Sequence, residues 1–94
     1  MRKRAQNEKK STDSYEELLS LVAQNIKRCR VGAGLTQEDM RNRGFNYRFY
    51  QRLESGSTNA TLFTLHRVAS ALGVPVAEFF NTVATQRKKK SVPT

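Results

Sequence analysis

Five glycines, at positions 32, 34, 44, 56 and 73, most constrain what this chain can fold into. Glycine relaxes the backbone and ends helices, so these positions cut the apolar pattern into short segments. No such segment is stable alone in water, so each must bury its apolar face against the others. In the first, Tyr15, Leu18, Leu19, Val22, Ile26 and Cys29 recur at steps of three and four, one stripe of a helix. Asp13-Ser14-Tyr15-Glu16 has the spacing of a capping box with Asp13 as the cap, and Gly32 and Gly34 stop this helix.

The later segments read the same way. Thr36 is placed to cap a short helix over Gln37–Asn42, with Glu38 and Asp39 in its first turn, where the helix dipole favours carboxylates. Gly44 breaks it. Asn46 caps a third helix, Tyr47–Ser55, which Gly56 ends. Thr61 caps a fourth, with Leu62, Leu65, Val68, Ala69 and Leu72 inward and Gly73 at its end. Pro75 opens a fifth, whose buried face is Val76, Phe79, Phe80 and Val83. There is no strand signal and no internal repeat. The expected fold is all-α, five short helices around one core, and 94 residues suffice for one such domain.

Charge divides the chain further. Residues 1–13 hold five basic and two acidic side chains, residues 87–94 four basic and none acidic, and 14–86 eight basic and six acidic. The expected organisation is a basic N-terminal arm, 1–13, a folded domain, 14–86, and a basic C-terminal tail, 87–94. A formal net charge of +9 favours a polyanionic partner. The tails either touch phosphates without sequence preference, enter a minor groove, or serve only solvation.

Several function classes are excluded. No run approaches the roughly 20 apolar residues of a membrane span, and the basic start MRKR is followed by polar residues, not by the apolar stretch of a secretory leader. One cysteine, Cys29, cannot form an internal disulfide; it reads as a buried core thiol, in keeping with a reducing cytoplasm. His66, the only histidine, flanks a buried stripe as a surface residue, so neither a metal site of usual spacing nor a nucleophile–base pair is available. No cofactor and no catalytic residue is expected.

The second and third segments are two short helices joined by a glycine turn, a helix-turn-helix arrangement. On the third, Tyr50 and Leu53 face the core with Phe49 at the margin, leaving Arg48, Gln51, Arg52 and Ser55 on the other side. Arginine can donate two hydrogen bonds to guanine and glutamine can pair with adenine, so this face has the chemistry of base reading. The plain alternative is a solvated helix face.

The ordered set Gly-Leu-Thr-Gln (34–37), a glycine turn, Leu-Glu-x-Gly (53–56) and Thr-Leu-x-x-Leu followed by Ala-x-Ala-Leu-Gly-Val (61–74) resembles the lambda-repressor-like, Cro-type helix-turn-helix family over roughly residues 22–80. The resemblance implies base contacts from Tyr47, Arg48 and Arg52, with Gln51 between them on a base or phosphate. It implies phosphate contacts from Gln37 and from the polar turn holding Ser55, Ser57, Thr58 and Asn59, and a structural ion pair between Arg30 and Glu54. It further implies a homodimer on a palindromic duplex operator, acting as a repressor in the cytoplasm at the nucleoid. Phe63 either covers the first turns of the first helix or joins a subunit interface. The rival reading is a protein-interaction or antitoxin-type module docking a partner protein through its aromatic residues.

Two departures from the family pattern stand out. Six residues, not seven, separate Gln37 from Gly44, and Arg41 stands where alanine is usual. The missing residue predicts a shortened second helix or a tightened turn.

Overall fold

The computed structural model describes residues 14–82. The arm at 1–13, the tail at 87–94, the cap role of Asp13 and the packing of Val83 lie outside the described residues. The order is α1 (Tyr15–Gly32), α2 (Gln37–Asn42), α3 (Tyr47–Ser55), α4 (Leu62–Leu72) and a 3-10 helix, Val76–Phe80. All five elements wrap one core, and each supplies one fully enclosed side chain: Ile26, Met40, Tyr50, Val68 and Phe79. Burying a side chain of this size contributes roughly 1.5–3 kcal/mol, so no element is dispensable.

Local chemistry sets the boundaries. Ser14 caps α1, its hydroxyl accepting from the amide of Glu17. Gly32 is the last residue of α1, and the left-handed backbone comes two residues later at Gly34. On α2 a full capping box forms: Thr36 accepts from Asp39 N, and Asp39 accepts from Thr36 N at 2.8 Å. That backbone bond holds the Asp39 carboxyl below its usual range. Asn46 and Thr61 cap α3 and α4 through Phe49 N and Thr64 N.

The fifth expected helix is a five-residue 3-10 turn instead, preceded by Pro75 in extended conformation. At three residues per turn Val76 and Phe79 share one side and pack on the core, while Phe80 turns outward at 41% exposure. The turn is anchored from α1. Asn25, itself buried, donates from Nδ2 to the carbonyls of Phe79 and Asn81 at 3.0 and 3.2 Å, and its Oδ1 accepts from Arg28.

Three side-chain expectations need correction. Leu62 is not inward but 71% exposed, because α4 meets the core only from Leu65 onward. Leu62 and Phe80, not Phe63, flank the first turns of α1, where a groove of about 180 Å³ is also lined by Tyr15, Leu18 and Leu65. Tyr15 is exposed at the rim, its hydroxyl donating to Asn59 Oδ1. Cys29 is only partly buried against the core, and burial raises its thiol pKa. Among the described residues no helix is long and apolar enough to cross a membrane.

Candidate nucleic-acid interface

Between α2 and α3 the chain turns within Arg43, Gly44 and Phe45. The amides of Arg43 and Phe45 both donate to Met40 O, and that of Gly44 to Arg41 O. Gly44 sits at φ 99°, backbone that other residues rarely adopt, so glycine suits this tight turn. Arg43 donates from Nη1 to Ala71 O at 3.0 Å, tying the turn to α4. The shortened spacing is thus absorbed by a tight turn after a six-residue α2. Arg41, standing where the family has alanine, points outward: it pairs with Glu38 at 2.7 Å, and its guanidinium lies 5.6 Å from the Tyr47 ring centre.

α3 divides into two faces. Tyr50 and Leu53 are buried; Arg48, Gln51, Arg52 and Ser55 are exposed and line one shallow depression. Tyr47 and Phe49 are intermediate, and the Arg52 guanidinium lies 5.9 Å from the Phe49 ring centre. Of the four residues read as base contacts, Arg48, Gln51 and Arg52 therefore stand together, while Tyr47 lies aside under Arg41.

Glu54, the only acidic residue of α3, is turned away from this face. Its side chain is 3% exposed and receives Arg30 Nε at 2.6 Å and Nη2 at 3.0 Å. Arg30 also donates to Leu35 O, so one guanidinium joins α1, the loop before α2, and α3. Burial pushes the Glu54 carboxyl up, but the bonds from Arg30 first, then the Tyr50 hydroxyl and Gln37, outweigh it and hold the group below its ordinary value. The Arg30 pKa is raised in return, chiefly by its bond to Glu54. The Tyr50 hydroxyl lies enclosed beside this pair, and burial raises its pKa strongly, with the neighbouring Glu54 carboxylate adding to the rise. The exposed side of α3 thus carries two guanidinium groups with its one carboxylate withdrawn.

The residues expected on the phosphate backbone are held in local bonds. Gln37 donates to Glu54 and accepts from Gln51. Ser55 donates to Arg52 O, and Ser55 and Ser57 share a bond at 2.8 Å. Thr58 donates to Asn59 O, and Asn59 accepts from Tyr15. These contacts leave a compact polar rim, 55–59, beside the exposed face of α3. Sequence reasoning missed Asn25, Arg43 and the joining of Gln37 to Gln51. A polar residue amid the apolar stripe of α1 was the one signal for Asn25; the other two rest on partners far along the chain.

Comparison with known proteins bears on this site. A family profile described as helix-turn-helix matches residues 26–79, which takes in α2 and α3 entire. An uncharacterized HTH-type transcriptional regulator, y4dJ, of Sinorhizobium fredii (strain NBRC 101917 / NGR234) is 41% identical over 63 residues, which cover 66% of this chain and 82% of that protein. No solved structure matches. With the two-faced α3, the tight glycine turn and the Arg30–Glu54 tie in place, the chain belongs to the lambda-repressor-like, Cro-type helix-turn-helix family, a non-enzymatic one.

Proposed function

We propose that this protein is a sequence-specific DNA-binding transcriptional regulator, acting as a repressor, that lays α3 in the major groove. The observation that carries the reading is the exposed cluster Arg48, Gln51 and Arg52 on a helix whose opposite side is locked into the core by Tyr50 and Leu53. Arg48 and Arg52 offer paired donors to guanine, and Gln51 matches adenine. Tyr47, which opens α3 beneath the Arg41 guanidinium, adds a further base contact in this reading. The rim of Ser55, Ser57, Thr58 and Asn59, with the remaining Gln37 amide proton, faces phosphates. Phosphate contacts supply most of the affinity and base contacts the sequence choice. The relative from Sinorhizobium fredii, named as a transcriptional regulator, supports the same reading.

The active species in this reading is a homodimer on a palindromic operator, with recognition helices about 34 Å apart. The exposed apolar side chains Leu62, Phe63 and Phe80 support an association surface. The groove that Leu62 and Phe80 line with Tyr15 is also what favours the rival reading, a module that docks a partner protein. The basic segments 1–13 and 87–94 add sequence-independent phosphate contact, and the protein works in the cytoplasm at the nucleoid.

Selection of bound duplexes from a random pool tests the function. A twofold-symmetric consensus, with affinity falling steeply as salt rises, is the expected result. Recovery of no preferred sequence, or binding insensitive to salt, sinks the proposal.

A further inference from the structure

The first turns of α1 and the end of the 3-10 helix frame one apolar groove. It holds about 180 Å³, and Tyr15, Leu18, Leu62 and Phe80 line it. A cavity of about 150 Å³ is enough for a benzene molecule, so this groove has room for one or two aliphatic side chains. Charge singles out the same place. Six acidic side chains lie among the described residues. Glu38, Glu54 and Glu78 are each paired with an arginine, and Asp39 is bonded to the amide of Thr36. Among the described residues, Glu16 and Glu17 alone have no side-chain partner. Both are exposed in the first turn of α1, between Tyr15 and Leu18, and α1 carries no basic residue before Lys27. The helix dipole favours acids at this end, but it does not account for the apolar groove beside them.

The chain leaves the fold at this groove. Phe80 lines it, and the next carbonyl, Asn81 O, is held on α1 by Asn25 Nδ2 at 3.2 Å. Twelve residues follow Thr82: the uncharged Val83-Ala84-Thr85-Gln86, then Arg87 and Lys88–Lys90, with no acid to the end. We propose that this C-terminal segment docks on its own domain, with Val83 in the groove and the basic run 87–90 against Glu16 and Glu17. The lengths agree. Glu16 lies about 13 Å from Asn25 along α1, at a rise of 1.5 Å per residue. The chain from Asn81 to Arg87 spans up to about 20 Å. The apolar residue comes first, at the groove, and the cations follow, at the carboxylates. The tether makes the contact intramolecular, with an effective concentration in the millimolar range, so two weak contacts suffice. A docked segment covers Leu62 and Phe80 and leaves Phe63, which does not line the groove, for association with a second copy. On DNA, phosphates compete with Glu16 and Glu17 for the same four cations. The inference goes beyond the DNA-reading proposal and stands without it.

The test uses the full chain at low protein concentration and reads amide relaxation and nuclear Overhauser contacts. Val83 methyl protons should contact the rings of Tyr15 and Phe80. Residues 83–90 should hold order parameters above about 0.6, where a free tail falls below. Val83→Asp should release the whole segment. Glu16→Gln with Glu17→Gln should release 87–90. So should Lys88→Gln, Lys89→Gln and Lys90→Gln together, a variant that changes no residue of α1. Salt at about 1 M, where charges are screened beyond about 3 Å, should loosen 87–90 and leave Val83 in place. The proposal is overturned if residues 83–90 relax as a free tail in the wild type, or if Val83→Asp or either charge variant leaves the segment as ordered as before. It is overturned as well if the contacts to Tyr15 and Phe80 arise between labelled and unlabelled chains and grow with concentration, which assigns the groove to a second copy. None of these readings involves DNA, so the outcome is separate from that of the duplex selection.

Discussion

The guanidinium of Arg67, on α4, lies over the ring of Phe45 with 4.6 Å to its centre and donates from Nη2 to Gly44 O at 3.2 Å. With Arg43 reaching Ala71 O, it ties the turn between α2 and α3 to α4 from both sides. The turn is short by one residue, and these cross-links hold it in register.

Arg67→Ala is accordingly expected to destabilise the protein by about 1 kcal/mol, the scale of an exposed cation–π contact with one hydrogen bond. Gly44→Ala should cost roughly 1–2 kcal/mol, because alanine resists the left-handed backbone there. Urea unfolding of both variants measures this. An Arg67→Ala variant as stable as the wild type would mean that the turn closes without α4.

How much of this was legible in the sequence depends on how far apart the interacting residues lie. The bounds of α2, α3 and α4 could be read directly, because Thr36, Asn46 and Thr61 each bond an amide three residues on and Gly56 and Gly73 end their helices locally. The exposed trio on α3 was equally visible, since Tyr50 and Leu53 declare its inner side. Leu62 was misread because a helical stripe does not reveal where its neighbours stop. The 3-10 turn at Val76 was hidden because Asn25, more than fifty residues earlier, anchors its end. The Gln37–Glu54 and Gln37–Gln51 bonds span 17 and 14 residues and left no local mark.

Stability should fall in acid through Glu54. Its folded pKa is depressed, so its contribution is fully present above the unfolded value of about 4.3 and is lost as pH falls through the lower folded value. Glu54→Gln should flatten the loss of stability between about pH 5 and pH 2, a comparison read from thermal melts across that range. Removing the partner outright, as in Arg30→Ala, leaves a buried unpaired carboxylate and should cost about 3 kcal/mol at neutral pH.

Arg48 and Arg52 should separate specificity from affinity. Each alanine variant is expected to lose roughly 1–3 kcal/mol on the selected site and to relax preference at one position. Competition between the selected duplex and a scrambled one distinguishes base reading from phosphate contact. Equal weakening on both duplexes would reassign that arginine to the backbone.

Met40 is the one fully enclosed side chain of α2. Met40→Ala should cost roughly 2–5 kcal/mol and loosen α2 against α3. Denaturant midpoints and amide exchange over residues 37–42 check it; a loss below about 1 kcal/mol would mean the site collapses around the smaller side chain.

The split of α3 into an enclosed side and an open one has a consequence for how such a protein can change. Tyr50 and Leu53 anchor the rod, so what stands at 48, 51 and 52 can be exchanged at a cost to folding of only about half a kcal/mol each. A collection of chains randomised at those three positions would be a collection of folded molecules that differ in vocabulary alone, and new target preferences could be sought in it without first repairing the scaffold.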